Sequence, residues 1–438
     1  MIFLIKAIQF LLSLALIVVL HELGHFIPAK LFKTKVEKFY LFFDWPFALF
    51  KKKIGETEYG IGAIPLGGYV KIAGMIDESM DTEHLDKKPE PWEYRSKPAW
   101  QRLVIISGGV IVNLILGFAI YMMVAFVWGK NIYTNESLPA GFEVAEVMKS
   151  YGFRDGDKIL QVNGEDIENV VDISKYLFLR DVNQVRVERY NGKQENISVP
   201  EDIGTVMFKN GAINAFTPMI PAVLDSIVPN SPAYNAGLVS GDKVLRVNGN
   251  EIIKWQDFTE LVKVNNSPNI NIEIERGNEI ISNIIPLNED KKIGVTAMLP
   301  KIVPTKLEYT FFESISEGYD RAYWTFVDYI GQFKYVFSKK GISQLGGFAA
   351  IGSLYPATWN WQGFWETTAL ISIILGFMNA LPIPALDGGH AMFLFYEMIS
   401  GKKPNDKVMG YAQMFGFILL ITLVLYANGN DIYKLFFN

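Results

Sequence analysis

Four long apolar stretches dominate the pattern of hydrophobic and polar positions along this chain. They run from about Ile2 to Pro28, from Leu103 to Trp128, from Thr367 to Pro382 and from Val408 to Ala427. A helix of ~20 residues crosses a hydrocarbon layer of about 30 Å, and the alternative for each stretch is a buried helix in a soluble core. All four stretches are apolar enough to cross such a layer, and the second and fourth also carry no charged residue. The pattern therefore predicts a polytopic α-helical membrane protein with four transmembrane helices.

Shorter patterns predict two further elements. The run from Tyr59 to Lys71 mixes β-branched and aromatic residues with glycines, which favours a β-hairpin beside the membrane rather than a helix. Such a hairpin could enter the bilayer only where protein covers its backbone, and an ordinary structural hairpin is the alternative. Apolar and aromatic residues recur every three or four positions from Phe311 to Phe337, which predicts an amphipathic helix on the membrane surface or against the preceding domain.

A tandem repeat occupies the segment between the second and third apolar stretches. Residues 152–164 (GFRDGDKILQVNG) align with residues 237–249 (GLVSGDKVLRVNG), and the second copy follows the string SPAYNAGL at residues 231–238. These strings resemble PDZ domains, in which such a strand and turn follow an SPA-x-x-AGL helix, although the first copy lacks the SPA segment. PDZ domains bind extended peptides or C-termini along a sheet edge. The alternative is that both repeats are spacers without a bound peptide.

The distribution of basic residues predicts the orientation of the chain, since short cytoplasmic loops are rich in Lys and Arg. Lysines cluster in the first loop, as in Lys51-Lys52-Lys53, and between the third and fourth spans, at Lys402, Lys403 and Lys407. The repeats and both termini are therefore expected outside the cytoplasm.

The predicted domains are a first transmembrane helix at 1–30, a cytoplasmic, membrane-associated β region at 31–102, a second transmembrane helix at 103–128, extracytoplasmic PDZ domains at 129–217 and 218–304, the amphipathic helix and a connector at 305–362, a third transmembrane helix at 363–400 and a fourth with the tail at 401–438.

The composition of the chain limits which partners and which metal ligands it can have. The 438 residues are 50% hydrophobic and carry a formal net charge of −5, and no nucleic-acid motif accompanies them, so no nucleic-acid partner is expected. Cysteine is absent, which excludes disulfides and thiolate ligands. Any metal must therefore be held by His, Asp or Glu. The first apolar stretch lacks a small-x-small cleavage site and is expected to be retained as a span.

The pentad His21-Glu22-Leu23-Gly24-His25 ends the first apolar stretch. On a helix, residues i and i+4 share a face, so both imidazoles can hold one zinc ion, with Glu22 beside them to take a proton from water. Ionisable residues inside a membrane span cost roughly 2.5–3.5 kcal/mol each and mark functional sites. A pair of core histidines satisfied by hydrogen bonds is the alternative.

A zinc ion that activates water needs a third protein ligand. Asp387 is the best candidate, because an aspartate in the third apolar region is costly unless it is paired or bound to a metal. It lies about as far along its stretch as His21 does along the first. Since these two stretches run in the same direction, the two residues are expected at similar depth. His390 remains an alternative as a ligand, an outer partner or a helix cap, and His84 is expected in a solvated, charged loop.

Four motifs in the same order resemble the site-2 proteases, specifically the bacterial regulator of sigma-E protease type. They are HELGH at residues 21–25, PLGGYVK at 65–71, the tandem repeats, and NALPIPALDGGH at 379–390. The resemblance implies a zinc-dependent intramembrane endopeptidase of the bacterial inner membrane, with its active site near the cytoplasmic side. Its substrates would be single-span membrane proteins, such as anti-sigma factors or remnant signal peptides, already shortened by another protease. It assigns the zinc ligands as His21, His25 and Asp387, the catalytic acid as Glu22, and the substrate-contacting segment as Asn379, Pro382 and Pro384.

The expected mechanism begins when Glu22 takes a proton from water, and it ends when the same group returns the proton to the leaving amine. Because a helical substrate hides its carbonyls in backbone hydrogen bonds, it must unwind first. The candidates for holding it extended are Gly67, Gly68 and Asn379.

Two other classes of function stay open, a non-catalytic PDZ-bearing adaptor with a structural metal and an ion or metal transporter. Internal repeats among the spans would favour a transporter, and the sequence shows none.

Overall fold

The computed structural model describes residues 1–75, 88–287 and 290–437, so His84 lies outside the described residues. The chain forms two compact units. The first unit consists of Met1–Gly129 together with Glu308–Asn438, and the second consists of Lys130–Leu307. The repeat-containing segment is therefore an insertion between two halves of the apolar unit.

The N-terminal half of the first unit is a pair of long helices joined by a β-sheet. Its elements are α1 (Ile2–Leu31), β1 (Val36–Ile54), β2 (Thr57–Ile72) and α2 (Ala99–Trp128). The helices cross at two glycines: a Cβ built on Gly24 would lie 2.4 Å from the carbonyl oxygen of Gly108. Because neither residue has a side chain, the two backbones touch at this level, which includes the predicted metal-binding pentad.

The β structure predicted for Tyr59–Lys71 is confirmed, and the sheet is larger than that segment. All of these residues belong to β2, and their partner is β1, which the sequence patterns did not identify as a strand. Tyr40 of β1 lies opposite both Gly60 and Tyr69. The N-terminal part of β1, around Tyr40, is therefore flanked on both sides by β2.

The second unit contains the tandem repeat, and the structure gives both copies the same sheet. The first copy contains β3 (Lys130–Ile132), β4 (Phe142–Val144), α3 (Glu146–Lys149), β5 (Lys158–Val162), β6 (Glu165–Asp166), α4 (Ile173–Leu179), β7 (Gln184–Glu188), β8 (Gln194–Ser198), α5 (Ile203–Asn210) and β9 (Phe216–Pro218). The second contains β10 (Leu224–Ile227), α6 (Pro232–Asn235), β11 (Lys243–Val247), β12 (Asn250–Glu251), α7 (Trp255–Val264), β13 (Asn269–Arg276), β14 (Glu279–Pro286), β15 (Val295–Ala297) and β16 (Thr305–Leu307). The strand orders are β6-β5-β7-β8 and β12-β11-β13-β14, which are equivalent.

Equivalent residues of the two copies make equivalent contacts. The aspartate of each Gly-Asp pair is fully buried and bound by an arginine from the third strand of its sheet or just beyond it, Asp157 by Arg189 and Asp242 by Arg276. The copies are also joined to each other, since Lys254 Nζ of the second lies 2.8 Å from Glu143 Oε1 of the first. The two segments therefore share a strand order and a buried Asp–Arg pair, and their assignment as a tandem repeat of two PDZ domains remains a prediction.

The C-terminal half of the first unit is helical. Its elements are α8 (Phe311–Val336), α9 (Lys339–Gln344), α10 (Phe348–Ser353), α11 (Trp361–Ala380), α12 (Asp387–Ser400) and α13 (Asp406–Phe437). The predicted amphipathic helix is α8, which begins with a capping box in which Thr310 and Glu313 satisfy each other's backbone amides. A hydrogen bond from Ser372 Oγ to the Asn113 carbonyl, 2.7 Å long, fixes α11 against α2.

Within the described ranges, three helices are long and apolar enough to cross a membrane, namely α1, α2 and α13. The third predicted span is not one continuous helix. It is broken between Ala380 and Asp387, where Pro382 and Pro384 cannot continue the backbone hydrogen bonding. Polar residues such as Glu366 lower the hydropathy of α11, so a membrane crossing by this helix remains a prediction.

Candidate metal centre

The pentad is helical, as predicted, and its two histidines share one face of α1. Their ring centroids are 4.8 Å apart, and Nε2 of His21 lies 3.3 Å from Nε2 of His25. One helical turn thus brings two nitrogen ligands together without any contribution from the rest of the fold.

Asp387 completes the cluster from the other half of the unit. Its Oδ2 lies 3.4 Å from His21 Nε2 and 3.5 Å from His25 Nε2, so the fold brings these three side chains together. Asp387 is the first residue of α12, and the glycines after it let that helix pack tightly. A Cβ on Gly388 would lie 2.3 Å from the Ala380 carbonyl oxygen at the end of α11.

The three residues fit a zinc ion. Two ligand atoms on a tetrahedral zinc ion, at ~2.0–2.1 Å from the metal, lie roughly 3.3–3.4 Å apart. The nitrogen and oxygen atoms of His21, His25 and Asp387 show nearly these separations. Among the described residues, Asp387 Oδ2 has no hydrogen-bond partner although the atom is buried. A buried carboxylate oxygen without a partner is costly, and a cation between it and the imidazoles would satisfy it.

The outer nitrogens of the histidines are held by α2. His25 Nδ1 donates to the Ile105 carbonyl oxygen at 2.8 Å, which leaves the lone pair of Nε2 for a metal. His21 Nδ1 lies 3.2 Å from the Asn113 side-chain amide. On the opposite side, Nδ2 of Asn379 lies 3.4 Å from His21 Nε2. Both asparagines are therefore in a position to fix the orientation of the His21 ring.

A cavity of about 600 Å³ opens beside this cluster. Its wall includes the two histidines, Asp387, Glu22 and residues of the sheet. Glu22 points toward β2, where the Val70 backbone hydrogen-bonds its carboxylate. A carboxylate, a metal-ligand cluster and a strand therefore face the same space, which is the minimum set for hydrolysis of an extended peptide.

Charged groups of β1 line another part of the cavity. Lys38 Nζ lies 3.0 Å from Asp44 Oδ2. Burial opposes ionisation of Asp44, but hydrogen bonds from Lys38 and Tyr69 outweigh it and hold the pKa of this carboxyl below its usual value. The ion pair ties two positions of the bulged strand together and so fixes the shape of this wall.

The other predicted residues have different positions relative to the cluster. A Cβ built on Gly68 would lie 3.6 Å from Glu22 Cγ, so this glycine is next to the catalytic candidate, whereas its neighbour Gly67 lies against Phe43. Pro382 and Pro384 lie in the loop between α11 and α12 and are not among the residues that line the cavity. His390 is in the cavity wall and bonds to Gln413, but it is outside the three-residue cluster.

Sequence patterns gave no role to three groups that support the cluster, the Ile105 carbonyl, Asn113 and Gln413. The signal for the two side chains was available, because each is a polar residue within an otherwise apolar span. No pattern signals a backbone carbonyl. Its role depends on how α1 and α2 cross.

Apolar helices combined with a His-His-Asp cluster and a neighbouring glutamate define a metal-dependent hydrolase of the membrane. A model of one protein family, Peptidase family M50, matches residues 9–423. The chain therefore belongs to peptidase family M50. It is a zinc-dependent intramembrane metalloprotease, which confirms the resemblance to the site-2 proteases and disfavours the adaptor and transporter alternatives.

Individual relatives match over nearly the whole chain. The regulator of sigma-E protease RseP of Escherichia coli K12 is 28% identical over 98% of this chain and 98% of its own length. The protease RseP of Yersinia pestis is 28% identical over 97% and 98% of the two chains. The regulator of sigma E protease of Haemophilus influenzae is 29% identical, with 98% of both chains covered. The likeness thus includes the inserted repeats as well as the metal centre.

Proposed function

We propose that His21, His25 and Asp387 hold the catalytic zinc ion and that Glu22 carries the proton. The observation that supports this most strongly is the mutual spacing of the three ligand atoms, with each near 3.4 Å from the others. Bound there, zinc would supply a Lewis acid that acidifies water and polarises a peptide carbonyl. The Glu22 carboxylate takes the proton released from water and delivers it to the amine of the departing peptide.

The substrate of this site is a transmembrane segment that has become extended. A helical segment has its carbonyls in backbone hydrogen bonds and cannot present one to water. Gly68 of β2 lies beside Glu22, so a peptide paired with this strand would pass the catalytic group. Asn379 at the end of α11 is within reach of the same space, beside His21. We assign Gly67, Gly68 and Asn379 to holding the substrate, and Pro382 and Pro384 to shaping the loop beside it.

The natural substrates we propose are single-span membrane proteins already shortened by another protease, of the anti-sigma-factor or remnant-signal-peptide kind. The support is the name that three relatives carry, regulator of sigma-E protease or RseP. We place the protein in the bacterial inner membrane with the active site near the cytoplasmic side. The lysine-rich loops at Lys51-Lys52-Lys53 and at Lys402, Lys403 and Lys407 support this orientation.

The tandem repeats are proposed to be extracytoplasmic PDZ domains that limit which substrates reach the site, either by size or by binding a peptide C-terminus. Their support is the equivalent strand order of the two sheets and the SPAYNAGL string, in which Ser231 caps a short helix by accepting from the Tyr234 amide. The ion pair of Lys254 with Glu143 joins them into one body.

The catalytic assignment is tested with Glu22→Gln. We expect this variant to retain zinc at the wild-type stoichiometry and to lose cleavage of a model single-span peptide in vesicles by several orders of magnitude. Glu56→Gln, an exposed change in the β1–β2 turn, is the matched control and should cleave normally. Turnover by Glu22→Gln at the wild-type rate would refute the role of Glu22, and zinc bound normally by His25→Ala would refute the ligand set.

A further inference from the structure

Gln413 is a buried amide in the third turn of the apolar helix α13. It is 7% exposed, and such a group is stable in an apolar helix only when its polar atoms are paired. Its Oε1 accepts a hydrogen bond of 2.7 Å from the Ala385 backbone amide, and its Nε2 lies 3.0 Å from His390 Nε2. These two partners stand on either side of Asp387 in the chain, one before it and one after it.

Ala385 needs such a partner for two reasons. Its φ is +76°, a left-handed conformation that residues with a side chain adopt only when surrounding contacts impose it. Its backbone amide is also partly buried, in the loop between α11 and α12 and outside any helix or strand, and an amide withdrawn from water needs an acceptor. Gln413 supplies the acceptor. The backbone just before Asp387 therefore depends on a side chain from another helix.

Gly416, on the same face of α13 as Gln413, extends this contact to the preceding residue of the loop. A Cβ built on Gly416 would lie 1.8 Å from the Pro384 carbonyl oxygen, so only glycine lets the loop lie flat on the helix. Residues three apart share a helix face. The pair Gln413 and Gly416 thus forms a support for the loop that delivers Asp387 to the histidines.

We propose that Gln413 is a positioning residue for Asp387, acting through Ala385 and His390 and touching neither zinc nor substrate. This inference rests on the proposed function, in which Asp387 is a metal ligand. It predicts that α13, which contributes none of the three ligands, sets the affinity of the site. Partners of this kind around metal ligands typically change metal affinity about 10–100-fold when removed.

The test is the zinc affinity of the full-length protein in detergent, measured by competition with a chelator of known affinity and by the metal content after dialysis. In Gln413→Met the new side chain has about the same length as glutamine and suits an apolar helix, but it makes neither hydrogen bond. We expect its zinc affinity to fall about 10–100-fold, with little change in the melting temperature of the zinc-free protein. Thr422→Val is the matched control on α13, since its hydroxyl bonds only within the helix, to the Ile418 carbonyl, and should bind zinc as the wild type does.

A second substitution separates positioning from general packing. Glycine adopts φ near +76° without strain, so Ala385→Gly removes part of the need for Gln413. The double variant Ala385→Gly, Gln413→Met should therefore bind zinc more tightly than Gln413→Met alone. If Gln413 only packed α13, the glycine would restore nothing, and that result would overturn the proposal.

Two further variants make every outcome decisive. If Gln413→Met does not fold, Gln413→Asn replaces it, because the shorter amide keeps its polarity but cannot reach both partners; wild-type zinc affinity there would overturn the proposal. Asp387→Asn separates the two levels of inference. Normal zinc binding by Asp387→Asn would show that the ligand assignment fails, whereas its loss of zinc together with wild-type affinity in Gln413→Met would show that only the role of Gln413 fails.

Discussion

Gly109 of α2 lies directly against the imidazole of His25. A Cβ built on this glycine would be 2.4 Å from His25 Nε2 and 2.5 Å from His21 Cε1. Separations below about 3.0 Å do not occur between a real Cβ and a neighbouring atom. The absence of a side chain at this one position of α2 is therefore a condition for both metal ligands to occupy their places.

We expect Gly109→Ala to displace one imidazole and to abolish zinc retention in dialysis, although alanine is the better helix former by about 1 kcal/mol. Gly410→Ala on α13 is the control, because nothing lies within 4 Å of a Cβ at that position. That variant should keep its zinc and be slightly more stable. Normal zinc content in Gly109→Ala would show that the helices separate easily, contrary to the close Gly24–Gly108 contact.

Asn113 is expected to act on His21 in a similar way to the Ile105 carbonyl on His25. Its amide is 3.2 Å from His21 Nδ1, and its Oδ1 has no partner among the residues that the structure describes. A half-turn of the amide brings that oxygen to Nδ1, where it accepts the ring proton and leaves Nε2 for the metal. Asn113→Ala should weaken zinc binding about tenfold or more, measured by chelator competition, and unchanged affinity would exclude this role.

Local spacing explains how much of this site the sequence predicts. His21, Glu22 and His25 are fixed relative to one another by one turn of helix, and Asp387 is recognisable as an acidic residue in an apolar region. The break between α11 and α12 is equally predictable, because it depends on prolines in the chain itself.

Contacts between distant parts of the chain explain what the sequence does not predict. Gln413 meets Ala385 only because α13 packs on the loop before α12, and Ile105 meets His25 only because α1 and α2 cross at glycines. The strand β1 is similar: its Phe- and Lys-rich sequence has no clear alternation and becomes a strand by pairing with β2. Hydrophobic pattern finds elements but does not specify which faces of them meet.

The stability of the second unit is expected to depend on pH through a carboxylate, Asp155, at the contact between the two repeats. Burial alone would raise the pKa of Asp155, but hydrogen bonds from the Val144 amide, Lys254 and Lys149 outweigh it and hold that pKa below its usual value. A carboxylate whose pKa is lowered on folding stabilises the fold above its unfolded pKa of about 3.9 and loses this contribution as the pH falls through the folded value. The second unit should therefore lose stability below about pH 4.

The measurement is hydrogen exchange of strand β4 in the full-length protein between about pH 3 and pH 7, corrected for the intrinsic exchange rate. Asp155→Asn should lower protection at neutral pH by about 1–3 kcal/mol, the range for hydrogen bonds to a charged group, and should flatten the decline on the acid side. Asp225→Asn, an exposed change in the second repeat, should leave both unchanged. An equally steep decline in Asp155→Asn would assign the acid sensitivity to other groups.

The ends of the inserted unit lie side by side, which makes its removal possible without disturbing the metal centre. β3 at its start pairs with β16 at its end, with Ile132 opposite Thr305. In the first unit, the two helices that flank the insertion also meet, since the rings of Phe126 and Phe311 are 6.0 Å apart. A short Gly/Ser linker can therefore join Gly129 to Glu308 in place of residues 130–307.

We expect the chain without residues 130–307 to bind zinc with wild-type affinity, because every residue of the cluster and of its supports belongs to the first unit. If the repeats limit access, this variant should cleave a single-span protein that still carries its outer domain, whereas the full-length enzyme should cleave only the shortened form. Adding Glu22→Gln to the deletion is the control for contaminating proteases. Equal discrimination between long and short substrates by both enzymes would show that selection resides in the membrane unit itself and that the repeats do not act as a filter.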